Sequence, residues 1–376
     1  MIVKRVPIDT YCEKKVPTLQ KTYDGLIDYL DISSVDNAEK RIISYQTIRS
    51  SNAPSRAKQL LKKGDVLVST VRPNLNAVAV VEEETENLMV GSTGYCVLRC
   101  KENIDVRYLF NFCQSQYFID DMSSQATGAS YPAVSNSIVR NSLIPCHSIE
   151  EQRKIAEKID TVSELIAFRK QQLVELDELV KSRFIELFGN GHDGKTTVKM
   201  LGSICKFQQG TQIPVEEQFE EQIAGYKRFL RIIDYTQAPQ PPRYVNVNGK
   251  EVDEKSVVIV RYGATAGFVG RGYQGILANN LFEIMPDETI LSKEFLFLAL
   301  KYGTFEKEVH DKAFGAAMPA LSFSMMNDIP VVVPMPEQQS QFVAFVEQTD
   351  KSKLAVQQSI AELEELKKSL MQKYFG

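Results

Sequence analysis

Residues 150–189 are written again at residues 337–376. A shift of 187 positions lays one stretch on the other without a gap. Glu150, Gln152, Gln171, Glu175, Leu176, Glu178, Leu179, Lys181, Ser182, Phe188 and Gly189 return as Glu337, Gln339, Gln358, Glu362, Leu363, Glu365, Leu366, Lys368, Ser369, Phe375 and Gly376. The same shift lays Gly128-Ala-Ser-Tyr-Pro-Ala-Val-Ser135 on Gly315-Ala-Ala-Met-Pro-Ala-Leu-Ser322. The shift is almost half of the 376 residues. A repeat on this scale decides architecture ahead of local signals. The chain reads as two halves of one plan, each a domain followed by a long helix.

Both long stretches carry apolar residues at seven-residue intervals. Ile159, Ile166, Leu173, Val180 and Leu187 form one line, and Ile155, Val162 and Leu176 an interleaved one that Arg169 and Arg183 interrupt. The second copy has Val346, Ile360 and Tyr374, broken by Lys353 and Lys367, beside Phe342, Val356, Leu363 and Leu370. A seven-residue repeat keeps one seam facing a partner helix. Polar residues on such a seam lower stability and fix register. Ser148 and Glu151 form a capping box at the first helix start, Pro336 suits a first turn, and Gly189 is a natural stop. About 39 residues at 1.5 Å each make a rod of roughly 58 Å.

The domains between these helices read as α+β. In residues 1–149, Arg41 to Leu61 is polar, Val66 to Arg72 is a strand, Pro73 to Asn76 a turn, Ala77 to Val81 the return strand and Tyr95 to Leu98 another strand. Val106 to Met122 reads as one helix. Residues 190–336 repeat the order, with a strand-like Val198 to Phe207, strands at Ser256 to Val260 and Leu281 to Met285, and a helix at Phe295 to Val309. The expected division is 1–149, 150–189, 190–336 and 337–376.

Composition limits the function classes. A chain 43% hydrophobic and 24% charged is typical of soluble globular protein. No signal peptide or membrane span is expected. Six scattered cysteines then read as reduced thiols of a cytosolic protein. Net charge is −4, and basic and acidic residues balance in every segment: 17 against 16 in 1–149, 7 against 9 in 150–189, 15 against 17 in 190–336, and 5 against 6 in 337–376. A nucleic-acid binder of this composition must focus positive charge by folding, or borrow it from a partner.

Strings that suggest catalysis sit in the wrong context. Residues 189–196, ending Gly194-Lys195-Thr196, match the phosphate-binding loop pattern, but a helix precedes them where a strand is required. They read as helix stop and linker. Phe268-Val-Gly-Arg-Gly272 resembles the first signature of adenine methyltransferases, yet Gln240-Pro-Pro-Arg243 does not supply the second. Cys96, Cys100, Cys113, Cys146 and His147 lack the close pairs of structural zinc sites, and the cysteines read as core thiols. His147, His192 and His310 form no recognisable triad. The chain alone is expected not to be an enzyme, and neither metal nor cofactor is expected.

The ordered set of features resembles the specificity subunit of type I restriction–modification systems along essentially the whole chain. Carrying it are the duplicated helices ending at Phe188-Gly189 and Phe375-Gly376, the loop pair before Pro145 and Pro334, the string Gly64-Asp-Val-Leu-Val-Ser-Thr-Val-Arg-Pro73, and the two-half layout. The second half departs from it, with Glu254-Lys255-Ser256 in place of Gly-Asp. The resemblance implies two similar target-recognition domains joined by an antiparallel coiled coil, in a pseudo-twofold repeat. Each domain would read half of a bipartite sequence in double-stranded DNA, with the helices as spacer. Two methylation subunits would carry the catalytic sites, and restriction subunits would join for cleavage. The competing class is a coiled-coil scaffold without sequence-specific DNA binding.

Base edges select side chains by geometry: Arg suits guanine, Asn and Gln suit adenine, while Lys, Arg and Ser hold phosphates. On that basis the candidate DNA-binding residues of the first domain are Arg49, Arg56, Lys58, Arg72, Asn74, Asn76, Ser130 and Tyr131. Those of the second are Gln209, Thr211, Arg228, Arg231, Arg243, Arg261, Tyr262, Thr265 and Met318. Tyr131 and Met318 hold matching positions in the repeated loop.

Overall fold

A computed structural model describes residues 4–189, 196–237, 240–313 and 320–376. They fall into two compact units, residues 1–170 with 357–376, and residues 171–356. The division runs through both long helices, so each unit owns part of each.

In the first unit the strand Val66–Ser69 is buried throughout, as its Val-Leu-Val run dictates for a strand covered on both faces. It pairs antiparallel with Tyr95–Leu98 on one side and Val78–Val80 on the other. A second sheet has the order Gln46–Arg49, Leu26–Leu30, Leu88–Ser92, Ala57–Leu60, with a parallel pair at its centre. Two of these strands lie in the polar stretch that sequence patterning leaves unassigned. Three of the four residues of Gln46–Arg49 are exposed, so no apolar alternation marks this edge strand. A third ladder joins Arg5–Pro7 to Leu143–Pro145.

The expected single helix over 106–122 is two, Val106–Cys113 and Gln116–Gln125. The break lies at Ser115, whose hydroxyl accepts the Phe118 N–H at 3.2 Å and starts a new helix. Apolar periodicity runs through the break because both helices cover the same core.

The second unit repeats the plan. Leu281–Pro286, Val257–Val260 and Val269–Gly270 form the matching sheet, extended by Cys205–Gln209. Among the described residues of the first unit, an isolated Cys12–Cys100 bridge corresponds to that extra strand. The second sheet keeps its order: Arg243–Val245, Lys227–Leu230, Gly275–Leu277, Glu251–Val252, again with a parallel central pair. The expected helix over 295–309 is likewise two, Lys293–Tyr302 and Phe305–Ala313. The strand-like stretch at 198–207 divides into Thr197–Met200, a short helix Leu201–Ile204, and Cys205–Gln209.

The long helices are Ile149–Phe188 and Pro336–Phe375. Ser148 and Glu151 make the expected reciprocal cap: Ser148 N–H donates to the Glu151 carboxylate at 3.1 Å, and Glu151 N–H to the Ser148 hydroxyl at 3.3 Å. In the first unit, Ile155 and Ile159 of the first helix share a core with Met371 and Phe375 of the second. In the second unit, Val180, Phe184 and Phe188 share one with Phe342 and Val346. The start of each helix meets the end of the other, so the pair is antiparallel.

The repeated residues have matching tasks. Phe375 packs on Tyr108, ring centroids 5.2 Å apart, and Phe188 on Phe295 at 5.1 Å. Full burial of such a ring contributes about 1.5–3 kcal/mol. Gln152 accepts the Asp105 N–H at 2.9 Å, and Gln339 the Ser292 N–H at 3.0 Å. Each ties its long helix to the start of a domain helix. The seam departs from strict heptads at its end. Leu187 is exposed while Phe184 and Phe188 are buried, because a 3.6-residue turn drifts from a seven-residue repeat.

Candidate nucleic-acid interface

In the first unit the chain leaving Val66–Ser69 is pinned before it turns. Val71 bridges Ala133, and the Arg72 N–H donates to the Pro132 carbonyl at 2.7 Å. The one-turn helix Pro73–Leu75 follows. Arg72 and Asn76, on either side of it, adopt φ of 49° and 48°. The left-handed region costs a side chain roughly 1–2 kcal/mol, with Asn the better tolerated. The Arg72 guanidinium lies 4.9 Å from the ring centroid of Tyr131, itself 69% exposed. The turn and the repeated loop therefore present one arginine–tyrosine pair, joined by a cation–π contact.

In the second unit Tyr262 bridges Ala320, and the Leu321 N–H donates to the Arg261 carbonyl at 3.0 Å. These contacts match the Val71–Ala133 bridge and the hydrogen bond from the Val134 N–H to the Thr70 carbonyl at 2.9 Å in the first unit. Arg261 thus stands where Thr70 stands, two positions earlier than the sequence comparison with Arg72 suggests. The left-handed positions here are Gly263 and Gly267, φ 88° and 91°. The Arg261 guanidinium lies 4.5 Å from the Tyr262 ring centroid and 5.1 Å from that of Phe282. Its Nε is buried and unpaired. Thr265 is exposed in this loop. Met318 lies outside the described residues.

The remaining candidates divide by their partners. Arg49, Arg56, Lys58, Asn74 and Ser130 are exposed, and the three cations meet no carboxylate at ion-pair distance among the described residues. Asn76 is only 6% exposed; its amide donates to the Cys113 carbonyl at 2.8 Å, and its Oδ1 accepts from Lys40. That side chain is committed to the fold. Thr211 is similarly spent, its hydroxyl accepting the Lys250 N–H at 2.8 Å. Arg228 and Arg231 share the buried Asp234 carboxylate, at 3.3 and 3.0 Å. Arg243 pairs with Glu220 at 2.8 Å, and Gln209 donates to the Asn279 carbonyl at 2.7 Å.

Cys12, Cys96, Cys113 and Cys205 are buried and Cys100 is half-buried. Burial pushes Cys12 up to about 12 and Cys96 to about 11, so both stay protonated thiols. Cys146 departs from the core expectation: it is exposed, with the Tyr11 hydroxyl 3.1 Å from its sulfur. No group of side chains able to hold a metal occurs among the described residues, and no described helix is long and apolar enough to cross a membrane.

Two equivalent frames, each presenting a loop beside its central strand, match a known domain twice. The model of the type I restriction modification DNA specificity domain matches residues 10–178 and again 194–365. The chain belongs to this family. The type I restriction enzyme MjaIX specificity subunit of Methanocaldococcus jannaschii is 22% identical over 84% of this chain and 77% of its own length. The MjaVIII specificity subunit of the same organism is 23% identical over 52% of this chain, and the match spans 45% of that relative. A chain from a study of complex assembly and conformational transition of the type I R-M system superimposes with a TM-score of 0.69 at 25% identity, over 99% of this chain and 97% of that one. The type I S subunit of M. genitalium, at 16% identity and a TM-score of 0.57, has the same fold.

What the sequence misses in this specificity-family site is backbone strain and long-range partnership. The strain at Arg72 has no sequence signal, since arginine does not announce a left-handed turn. Lys40, held on Asn76, escapes notice because the two are 36 residues apart.

Proposed function

We propose that this chain is the DNA-reading specificity subunit of a type I restriction–modification complex and is itself non-catalytic. The observation that carries the reading is the doubled specificity domain, with the same frame presenting different loop chemistry in each copy. Each domain reads one half of a bipartite duplex sequence. In the first, Arg72 with Tyr131 and Asn74 faces bases, and Arg49, Arg56, Lys58 and Ser130 hold phosphates. In the second, Arg261, Tyr262 and Thr265 carry the loop. Gln209, Arg228, Arg231 and Arg243, already engaged within the fold, shape the surface around them.

The antiparallel helices serve as the spacer and as docking rods for two methylation subunits, one per half. Supporting this, Phe168 is 67% exposed and Leu165 lies bare beside it, as do Val174 and Leu179 in the second unit. Exposed apolar faces on a helix mark interaction surfaces. Restriction subunits join that assembly.

The test is methylation-site sequencing of DNA from cells carrying this chain and its methylation subunit. A two-part target with a fixed gap is expected. Methylation without sequence preference contradicts the reading, and a mass measurement giving one methylation subunit per chain at saturation contradicts the stoichiometry.

A further inference from the structure

The first unit contains a pocket of about 630 Å³ between Asn76, the start of helix Gln116–Gln125 and the last turns of the second long helix. Lys40 and Lys367 both line it. The Lys40 ammonium donates to the Asn76 carbonyl and to its Oδ1, at 2.5 and 3.0 Å. Its own backbone is left-handed, φ 55°. With Arg72 and Asn76 it completes the set of non-glycine residues in that region among those described, and Lys40 is hydrogen-bonded directly to Asn76.

Among the described residues, neither lysine has a carboxylate within ion-pair distance. The acids nearest Lys367 are engaged elsewhere, Asp160 with Arg107 at 2.7 Å and Glu364 with Lys170 at 3.7 Å. Glu365 lines the pocket from its exposed rim, as does Lys368. Burial holds Lys40 down to about 8, with Lys367 as the second cause, and burial lowers Lys367 too. Partly buried cations without a counter-ion call for one. The amino end of helix Gln116–Gln125, whose dipole favours an anion, borders the same space.

We propose that Lys40 and Lys367 hold a backbone phosphate of the bound duplex beside the turn Arg72–Asn76. The inference rests on the DNA-reading function proposed above. The internal repeat favours a polyanion over a partner protein. Val180, which matches Lys367, is fully buried in the core of the second unit. That unit has its own cavity of about 830 Å³, lined by Arg271 and Lys301 and by the loop from Ala264 to Gly267. Asp234, held by Arg228 and Arg231, and Glu306 line it as well, so cations stand at this space on different residues and beside carboxylates. A partner present in two identical copies would select matched residues, whereas a phosphate requires only a cation.

The test uses the full chain assembled with its methylation subunit, a duplex carrying the mapped target, and a scrambled duplex. Lys367→Val installs the residue of the matching position, and Lys40→Met provides a second variant. Each is expected to flatten the plot of log K against log salt by up to about 0.9 for the one phosphate contact. Affinity should fall by the same factor on both duplexes, and Lys367→Arg should keep the original slope. An unchanged slope in both variants overturns the proposal, as does a loss confined to binding of the methylation subunit. If the unaltered complex does not distinguish target from scrambled duplex, the DNA-reading function itself fails instead.

Discussion

The first unit places Arg72 and Asn76 where the second places Gly263 and Gly267. The backbone path is shared and the cost differs, because glycine enters the left-handed region freely. Around the first loop, Arg49, Arg56 and Lys58 stand exposed without acidic partners among the described residues. In the second unit Arg228, Arg231 and Arg243 are held by Asp234 and Glu220. The lesson is that a repeated frame fixes where a loop lies and leaves its chemistry open. One copy spends conformational strain to present an arginine, and the other presents an aromatic beside bare backbone.

The most severe test of this comparison exchanges residues 190–336 for the same region of a relative. Methylation-site sequencing is expected to find one half of the target replaced and the other intact. A change in both halves would break the idea of independent readers.

A second test concerns the frames. Arg99 makes two 2.8 Å hydrogen bonds to the fully buried Asp65. In the second unit Ser256 stands at the matching strand start and bonds Asp253. Arg99→Met should cost about 3–5 kcal/mol by stranding a buried carboxylate. Ser256→Ala should cost about 0.5–1.5 kcal/mol. Equal losses in thermal or urea unfolding would show that the two starts are energetically alike.

Third, Arg72→Ala should lose about 1–3 kcal/mol of discrimination, confined to the first half-site. Arg72→Gly should lose the same while gaining up to about 1 kcal/mol of stability from relieved strain. Glycine that binds poorly and folds no better would remove strain from the comparison.

The smallest effect is a pH dependence. Lys40 is held near 8 in the folded chain, below its ordinary 10.5. The unfolded chain therefore binds more protons between those values, and stability gains a contribution as pH rises through them. Subtracting the unfolding curve of Lys40→Met should isolate that rise. A flat difference would mean that Lys40 is fully solvated.

The sequence carries the architecture because repetition is visible in letters. Gln152, Gln339, Phe188 and Phe375 recur since each makes the same contact in its own unit. The second sheet is hidden because its edge strands are short and rich in polar residues, Gln46–Arg49 being largely exposed as well. Site residues are the least legible: Arg49 and Arg231 are the same letter, yet one is exposed and the other clamped on Asp234. Asn76 looks like a reader of adenine and is an internal brace instead, a difference made by Cys113 at 37 residues' remove. Nothing in local sequence encodes such partnerships.

The cut through the long helices also orders events at the ribosome. Everything the second unit requires lies in one continuous run, residues 171–356. The first unit requires Met371 and Phe375 in its core, and Arg5 bonds the carbonyls of Phe375 and Gly376 at 2.8 and 2.6 Å. Although translated first, it is the last to close. Until residue 375 emerges, the seat around Tyr108 and Phe112 lacks the ring that fills it in the folded unit.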